Sequence, residues 1–254
     1  MSLVLLTSAA GAPGVTTTTL GLACTWPRRA LAVEADPVGG SAMLAGFFRG
    51  FLPPAQSLVD LLLAHRAGRL SEQLPMSVIP VEHTAAAVLP GPRSHAQARS
   101  ALELWEPLSL VWRGLHREGT DVLIDAGRLG MTSYAEPLLQ LVDMILLVTR
   151  SDLPSLAAAK QWADQAVSTQ QTPPEWAVVL VGPGHPYGTG EVSRVLNLPV
   201  VAALSLDERG AAGYSHGTNR RPGGKLDRDL RQCGDNLTRK LSVADRLATR
   251  EAAS

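Results

Sequence analysis

The sequence is short of cysteine, of long apolar runs and of net charge, and each shortage removes a class of protein. Only two cysteines occur in 254 residues, Cys24 and Cys233. They fall far apart in helix-like surroundings, which excludes a disulfide scaffold or a cysteine metal site and suits a reducing compartment. No stretch reaches the ~18 uninterrupted apolar residues of a membrane span. The longest run, 138–149, is broken by Gln140 and Asp143. The opening Met1-Ser-Leu-Val-Leu-Leu-Thr shows no basic leader and no cleavage site, so it reads as a first strand, and the expected setting is the cytoplasm. Basic and acidic residues balance at 23 each, which argues against a surface that binds nucleic acid throughout. The six histidines show no ligand spacing, no Gly-x-Ser-x-Gly elbow supports a serine hydrolase, and no repeat is present.

What is present is enough apolar material, 45% of residues, for the core of one large α/β domain. Short apolar runs alternate with longer helix-like segments, which predicts a mostly parallel twisted sheet with helices on both faces. The predicted strands are 3–7, 30–35, 85–89, 121–126, 144–150, 176–181 and 200–204. The predicted helices are 17–26, 57–67, 94–117, 134–141, 154–170 and 190–196. This α/β domain is expected to span 1–210. Beyond it, 211–224 reads as a flexible loop or linker, part of a Gly-, Arg- and Asn-rich segment that begins at 207. Residues 225–254 follow as an amphipathic helix and tail.

Directly after the first strand comes Ser8-Ala-Ala-Gly-Ala-Pro-Gly-Val-Thr-Thr-Thr-Thr19. A strand, a small-residue loop and a threonine-rich helix start are what a phosphate cradle needs, because bare N–H groups and a helix N-terminus then face the anion. The run resembles the deviant Walker A loop of the ParA/MinD family of P-loop ATPases, Lys-Gly-Gly-x-Gly-Lys-Thr-Thr. On that pattern Gly11 and Gly14 keep glycines, Ala12 replaces one, and Thr16 and Thr17 keep the hydroxyls expected at Mg²⁺ and phosphate. Two further segments agree in order. Glu34-Ala-Asp-Pro-Val-Gly39 is similar to the family's Asp-x-Asp-Pro-x-Gly, with Asp36 at the position linked to water activation. Asp121-Val-Leu-Ile-Asp-Ala-Gly127 looks like a Walker B strand that ends at Asp125. The resemblance implies a P-loop NTPase-like fold over residues 1–210, with Gly11, Gly14, Val15, Thr16, Thr17 and Asp125 around ATP. It also implies Mg²⁺ near Thr16, Asp36 and Asp125.

The chain departs from the family where charge matters. Ala10 stands at the signature lysine and Val15 at the Walker lysine. Phosphoryl transfer depends on cations that neutralise developing charge, so the expectation is weak ATP binding and weak or lost hydrolysis. The signature lysine also reaches across the family's nucleotide-sandwich dimer, so Ala10 bears on homodimer formation too. Arg128, beside Asp125, is the nearby cation at that sheet edge: either a substitute phosphate ligand or an ordinary solvated arginine. At the base-binding end, Gly182-Pro-Gly184 stands where the family often has a polar residue such as Asn.

The family implies a positioning or partitioning role: chromosome or plasmid segregation, division-site selection, or placement of secretion and pilus machinery with a protein partner. Members resembling TadZ and CpaE, in the last role, are known for altered Walker loops. The alternatives are an active ATPase with an atypical loop and a nucleotide-free interaction module. The tail is also open to more than one reading. Residues 220–251 hold nine basic and five acidic side chains, a local +4, which suits a solvated helix face or weak contact with DNA or a membrane surface. Leu226, Leu230, Cys233, Leu237, Leu241 and Ala244 form one stripe. It has no Phe or Trp and is interrupted by Gly234, so it is expected to pack on the protein's own sheet or a partner more than on lipid. Besides the cytoplasm, the resemblance leaves polar placement open, and the tail leaves peripheral membrane contact open.

Overall fold

A computed structural model describes residues 3–50, 58–115, 119–169, 174–218 and 223–251. Ser57, residues 116–117 and Gln170, at the ends of three predicted helices, lie outside that set, as do residues 219–222 of the predicted linker and the side chain of Ala244.

Eight strands form one sheet: β1 (Leu3–Ser8), β2 (Arg29–Glu34), β3 (Ile79–Pro80), β4 (Ala86–Leu89), β5 (Thr120–Arg128), β6 (Met144–Arg150), β7 (Glu175–Val181) and β8 (Val200–Leu204). Their order is β3-β4-β2-β5-β1-β6-β7-β8, and every pairing is parallel except β3 with β4. Parallel strands are covered on both faces, which is why β1 and β6 read as unbroken apolar runs. The period of two then sorts each strand. Leu5, Val33, Ile124, Leu147 and Leu180 face one core, and Leu6, Ala32, Leu123, Leu146 and Val179 face the other.

The first core is roofed by α2 (Leu58–Arg66), α3 (Leu70–Ser77), α4 (His95–Leu115), α5 (Leu138–Leu141), α6 (Leu153–Thr169) and α7 (Thr189–Leu196). The second lies under α1 (Val15–Thr25), a π-helical turn (Met43–Phe47), α8 (Glu208–Ser215) and α9 (Lys225–Glu251). No helix among the described residues is long and apolar enough to cross a membrane.

Two expectations need correction. The segment from 207, read as loop, contains α8. Asp207 caps it by accepting from the Gly210 N–H (2.9 Å), and Tyr214 is fully buried with its hydroxyl donating to Asp227 of α9 (2.7 Å). Glycine and arginine suggested disorder, but two buried anchors order the chain. The predicted helix 134–141 is also shorter, since only Leu138–Leu141 is helical and Pro137 precedes it.

The leucine stripe of α9 is buried against the chain's own body. Leu226, Leu230, Cys233, Leu237 and Leu241 all join the second core, with α1 and β8 as the main neighbours. Gly234, which looked like an interruption, permits that approach: a Cβ there would sit 3.2 Å from the Trp26 ring. Trp26 is held in turn by its Nε1–H, which donates to Asp121 Oδ2 (2.8 Å).

Candidate functional site

β1 ends at Ser8, and the chain turns through residues 9–14 before α1 begins. Gly14, at φ +101°, precedes the helix with no side-chain cap, and the first turn carries no acidic residue. The first helical bond runs from the Thr18 N–H to the Gly14 carbonyl (2.8 Å), so the N–H groups of residues 15–17 have no intrahelical acceptor. An uncapped N-terminus of this kind favours an anion. Ala12 takes φ +47°, a conformation that disfavours any side chain, at the position where the family pattern has glycine.

Asp36 lies two residues beyond β2. Its Oδ1 accepts from the Val38 N–H (2.9 Å). Ala35 N–H, just before it, donates to the Asp125 carbonyl (2.7 Å), which fixes the turn against β5. Gly127 makes the approach possible, because a Cβ on it would lie 2.5 Å from Asp36 Cγ. Nothing in the motif alone marks Gly127 as a site residue beyond its place directly after Asp125-Ala, where strand passes to loop.

Asp125 is fully buried. Its Oδ1 accepts from the Gly127 N–H (3.0 Å), while Oδ2 has no hydrogen-bond partner. Burial pushes its pKa up to about 7. The Thr16 hydroxyl and Gly127 N–H act the other way, and the charges of Asp36 and Glu34 add to the rise. An unpartnered buried carboxylate oxygen beside Thr16 is the kind of acceptor that a hydrated divalent cation satisfies, so these residues fit Mg²⁺.

The sign of this shift gives a test. Because the folded-state pKa is raised above its ordinary value of 3.8, folding is most favourable below that value, and stability is lost as pH rises toward 7. Above pH 7 the ionised group costs about 4 kcal/mol. Asp125→Asn is therefore expected to melt several degrees above the parent at pH 8 in chelator, with the gap closing by pH 4. Thermal melts at both pH values check it, and equal melting temperatures at pH 8 would contradict a buried, unpaired charge.

Glu34, matched to the family's first aspartate, is 2% exposed and lies outside the cleft. It accepts from Ser41 Oγ, Met43 N–H (3.1 Å) and Gly91 N–H (2.9 Å), which ties the end of β2 to two loops. Burial holds its carboxyl above the usual range.

Gly11, Gly14, Val15, Thr16, Thr17, Asp36 and Arg128 line one cleft of about 520 Å³ at the carboxyl ends of β1, β2 and β5. Asp125 does not line it, being wholly buried next to Thr16 and Asp36. Val15 also packs into the second core, at 7% exposure. Arg128 is exposed and donates from Nη2 to Met131 Sδ (3.0 Å). Ala12, Pro13 and Gly127 also line the cleft, and Ser8, Val38 and Met131, which the motifs did not mark as site residues, complete the wall. Arg28 sits at the opposite end of the sheet, paired with Asp121 (2.8 Å). Residues 182–184 do not line the cleft. Among the described residues, no group of three or more His, Cys, Asp or Glu could hold a metal by itself.

No family model and no curated protein sequence matches this chain. Solved structures do. The chain is 19% identical to the cell division ATPase MinD of Pyrococcus furiosus, with 94% of this chain and 99% of that one covered at a TM-score of 0.71. Against the septum site-determining protein MinD of Pyrococcus horikoshii, solved with Mg-ADP, the figures are 18%, 94%, 97% and 0.70. A ParA family ATPase from Chlorobium tepidum gives 16%, 92%, 99% and 0.73. The fold is that of the MinD and ParA ATPases.

Proposed function

We propose that this chain is a degenerate ParA/MinD-like nucleotide-binding protein that positions or partitions cellular cargo and hydrolyses ATP weakly or not at all. The observation that supports this reading is the cleft itself: Gly11 to Thr17 and Asp36 line it, with Asp125 buried beside it and its Oδ2 unpartnered, an arrangement that suits a phosphate and its cation, yet residues 10 and 15 are neutral. In this reading the uncapped N–H groups of α1 hold phosphate, Thr16 and Asp125 hold Mg²⁺ with Asp36 nearby, and Asp36 orients water. Mg²⁺, when bound, would neutralise charge on the phosphate oxygens. Without the lysines the chain holds the nucleotide loosely and signals occupancy to a protein partner, in the cytoplasm or at a pole or membrane surface. An active ATPase is the second reading, and Arg128 on the cleft wall is the observation in its favour.

Steady-state ATP turnover and calorimetry, each with and without Mg²⁺, decide between them. The expected result is measurable Mg²⁺-dependent binding with turnover at or near background. Robust turnover that Arg128→Ala abolishes would establish the second reading, and absence of any nucleotide binding would leave an interaction module.

A further inference from the structure

Where β5 reaches the cleft, its pairing with β1 slips. Leu6 lies opposite Asp125 and Ser8 opposite Arg128, so two steps of β1 are matched by three of β5. A bulge of this kind is rare between parallel strands and leaves the extra residue out of the ladder. Gly127, at φ +67°, makes the turn. Its carbonyl is met by a side chain instead, since Thr7 Oγ1, fully buried, donates to it (3.1 Å). The Thr7 oxygen in turn accepts from the Tyr134 hydroxyl (3.1 Å). Tyr134 is 8% exposed in the loop between β5 and α5, and its N–H donates to the Met131 carbonyl (3.1 Å), which closes the stretch that carries Arg128 and Met131 of the cleft wall.

We propose that Tyr134 is a positioning residue for the cation site: through Thr7 it fixes the Gly127 peptide, and through that peptide it holds Asp36 and Asp125 relative to each other. The assignment of both acids to a cation rests on the function proposed above, whereas the chain of hydrogen bonds stands without it. Gly127 touches both acids. Its N–H donates to Asp125 Oδ1 (3.0 Å), and its backbone packs so closely on Asp36 that a Cβ would lie 2.5 Å from the carboxyl carbon. A rotation of this peptide therefore takes a donor from one acid and changes the contact with the other. The direction of the relay is set by chemistry. Burial above all holds the Tyr134 proton well above the ordinary phenol range, the bond to Thr7 acts the other way, and the charges of Asp125 and Asp36 add to the rise, so the phenol is a donor at neutral pH. With that proton on a lone pair of Thr7, the single hydroxyl proton of Thr7 is left for Gly127, and each bond polarises the next. Neither Tyr134 nor Thr7 lines the cleft, so their effect on a ligand passes through Gly127.

Amide exchange at Gly127, read by NMR on the full chain without ligand, tests the relay first. Tyr134→Phe keeps the ring and removes the donor, Thr7→Val removes the middle link, and each is expected to speed Gly127 exchange roughly two- to tenfold, the loss of one hydrogen bond. Combining them adds little, because both break one chain. Thr7→Ser retains the hydroxyl and keeps the parent rate. Calorimetry with ADP then separates positioning from general loosening: the Mg²⁺-dependent affinity falls by a similar factor in Tyr134→Phe and Thr7→Val but not in Thr7→Ser, while affinity for metal-free ADP stays at the parent value in all three. Unchanged Gly127 exchange in a folded Tyr134→Phe chain, Thr7→Ser behaving as Thr7→Val, Mg²⁺-dependent affinity that does not move, or equal losses with and without Mg²⁺ would each overturn the proposal. If the parent binds no ADP, the function proposed above falls, and the exchange rates alone decide the relay.

Discussion

Lysine at positions 10 and 15 together is expected to tighten ATP binding by roughly 100-fold or more over the parent chain, since each charge-assisted bond is worth ~1.5–3 kcal/mol. The cleft already has the uncapped helix start, the threonines and Asp36, with Asp125 buried beside it, so what its loop lacks is the positive charge of the two lysines. Position 15 is the harder substitution. Val15 packs into the core, so a lysine there must run its methylenes along apolar surface before its ammonium reaches the cleft. Position 10 is half-buried and more forgiving. Calorimetry on the parent, both single variants and the pair is the measurement. Equal affinities throughout would place the fault in the loop's shape, where Pro13 is buried and lacks an N–H and Ala12 holds a left-handed conformation.

Deleting residues 225–254 is expected to leave the chain unable to fold. Five apolar side chains of α9 are between 0 and 6% exposed, and each buried residue of this size contributes ~1.5–3 kcal/mol, a sum comparable with the whole stability of a domain. Leu230→Ala isolates the effect. Leu230 is fully buried against Gly21 of α1, so its truncation should cost about 2–5 kcal/mol and lower the melting temperature by roughly 5–15 °C. Circular dichroism melts of the point variant, with solubility of the truncated chain, give the answer. A truncated chain that stays folded at the parent's melting temperature would free the stripe for a membrane or a partner.

Much of this architecture was legible because parallel strands advertise themselves. A strand buried on both faces leaves an apolar run such as Met144–Arg150, and that element and β8 have the boundaries the pattern predicts. Features that depend on distant contacts were hidden. The two residues of β3, including a proline, exist only by pairing with β4. Helix α3 forms despite Pro75, and α8 forms because Tyr214 finds Asp227. Within the site, residue identities were readable but burial was not. Asp125 and Glu34 look like ordinary acidic residues until the fold removes both from water, and the fit of Gly127 against Asp36 requires two segments 91 positions apart to meet.

The anchoring of the segment around Asp36 has a consequence for any ligand. Ala35 is tied to β5 on one side, and Ser41 and Met43 are tied to Glu34 on the other, so the Asp36 carboxylate is suspended between two moorings. Pressed against Gly127 as well, it has little room to travel. In the proposed reading, a ligand in this cleft would meet Asp36 as a fixed template and not as a side chain that moves to meet it.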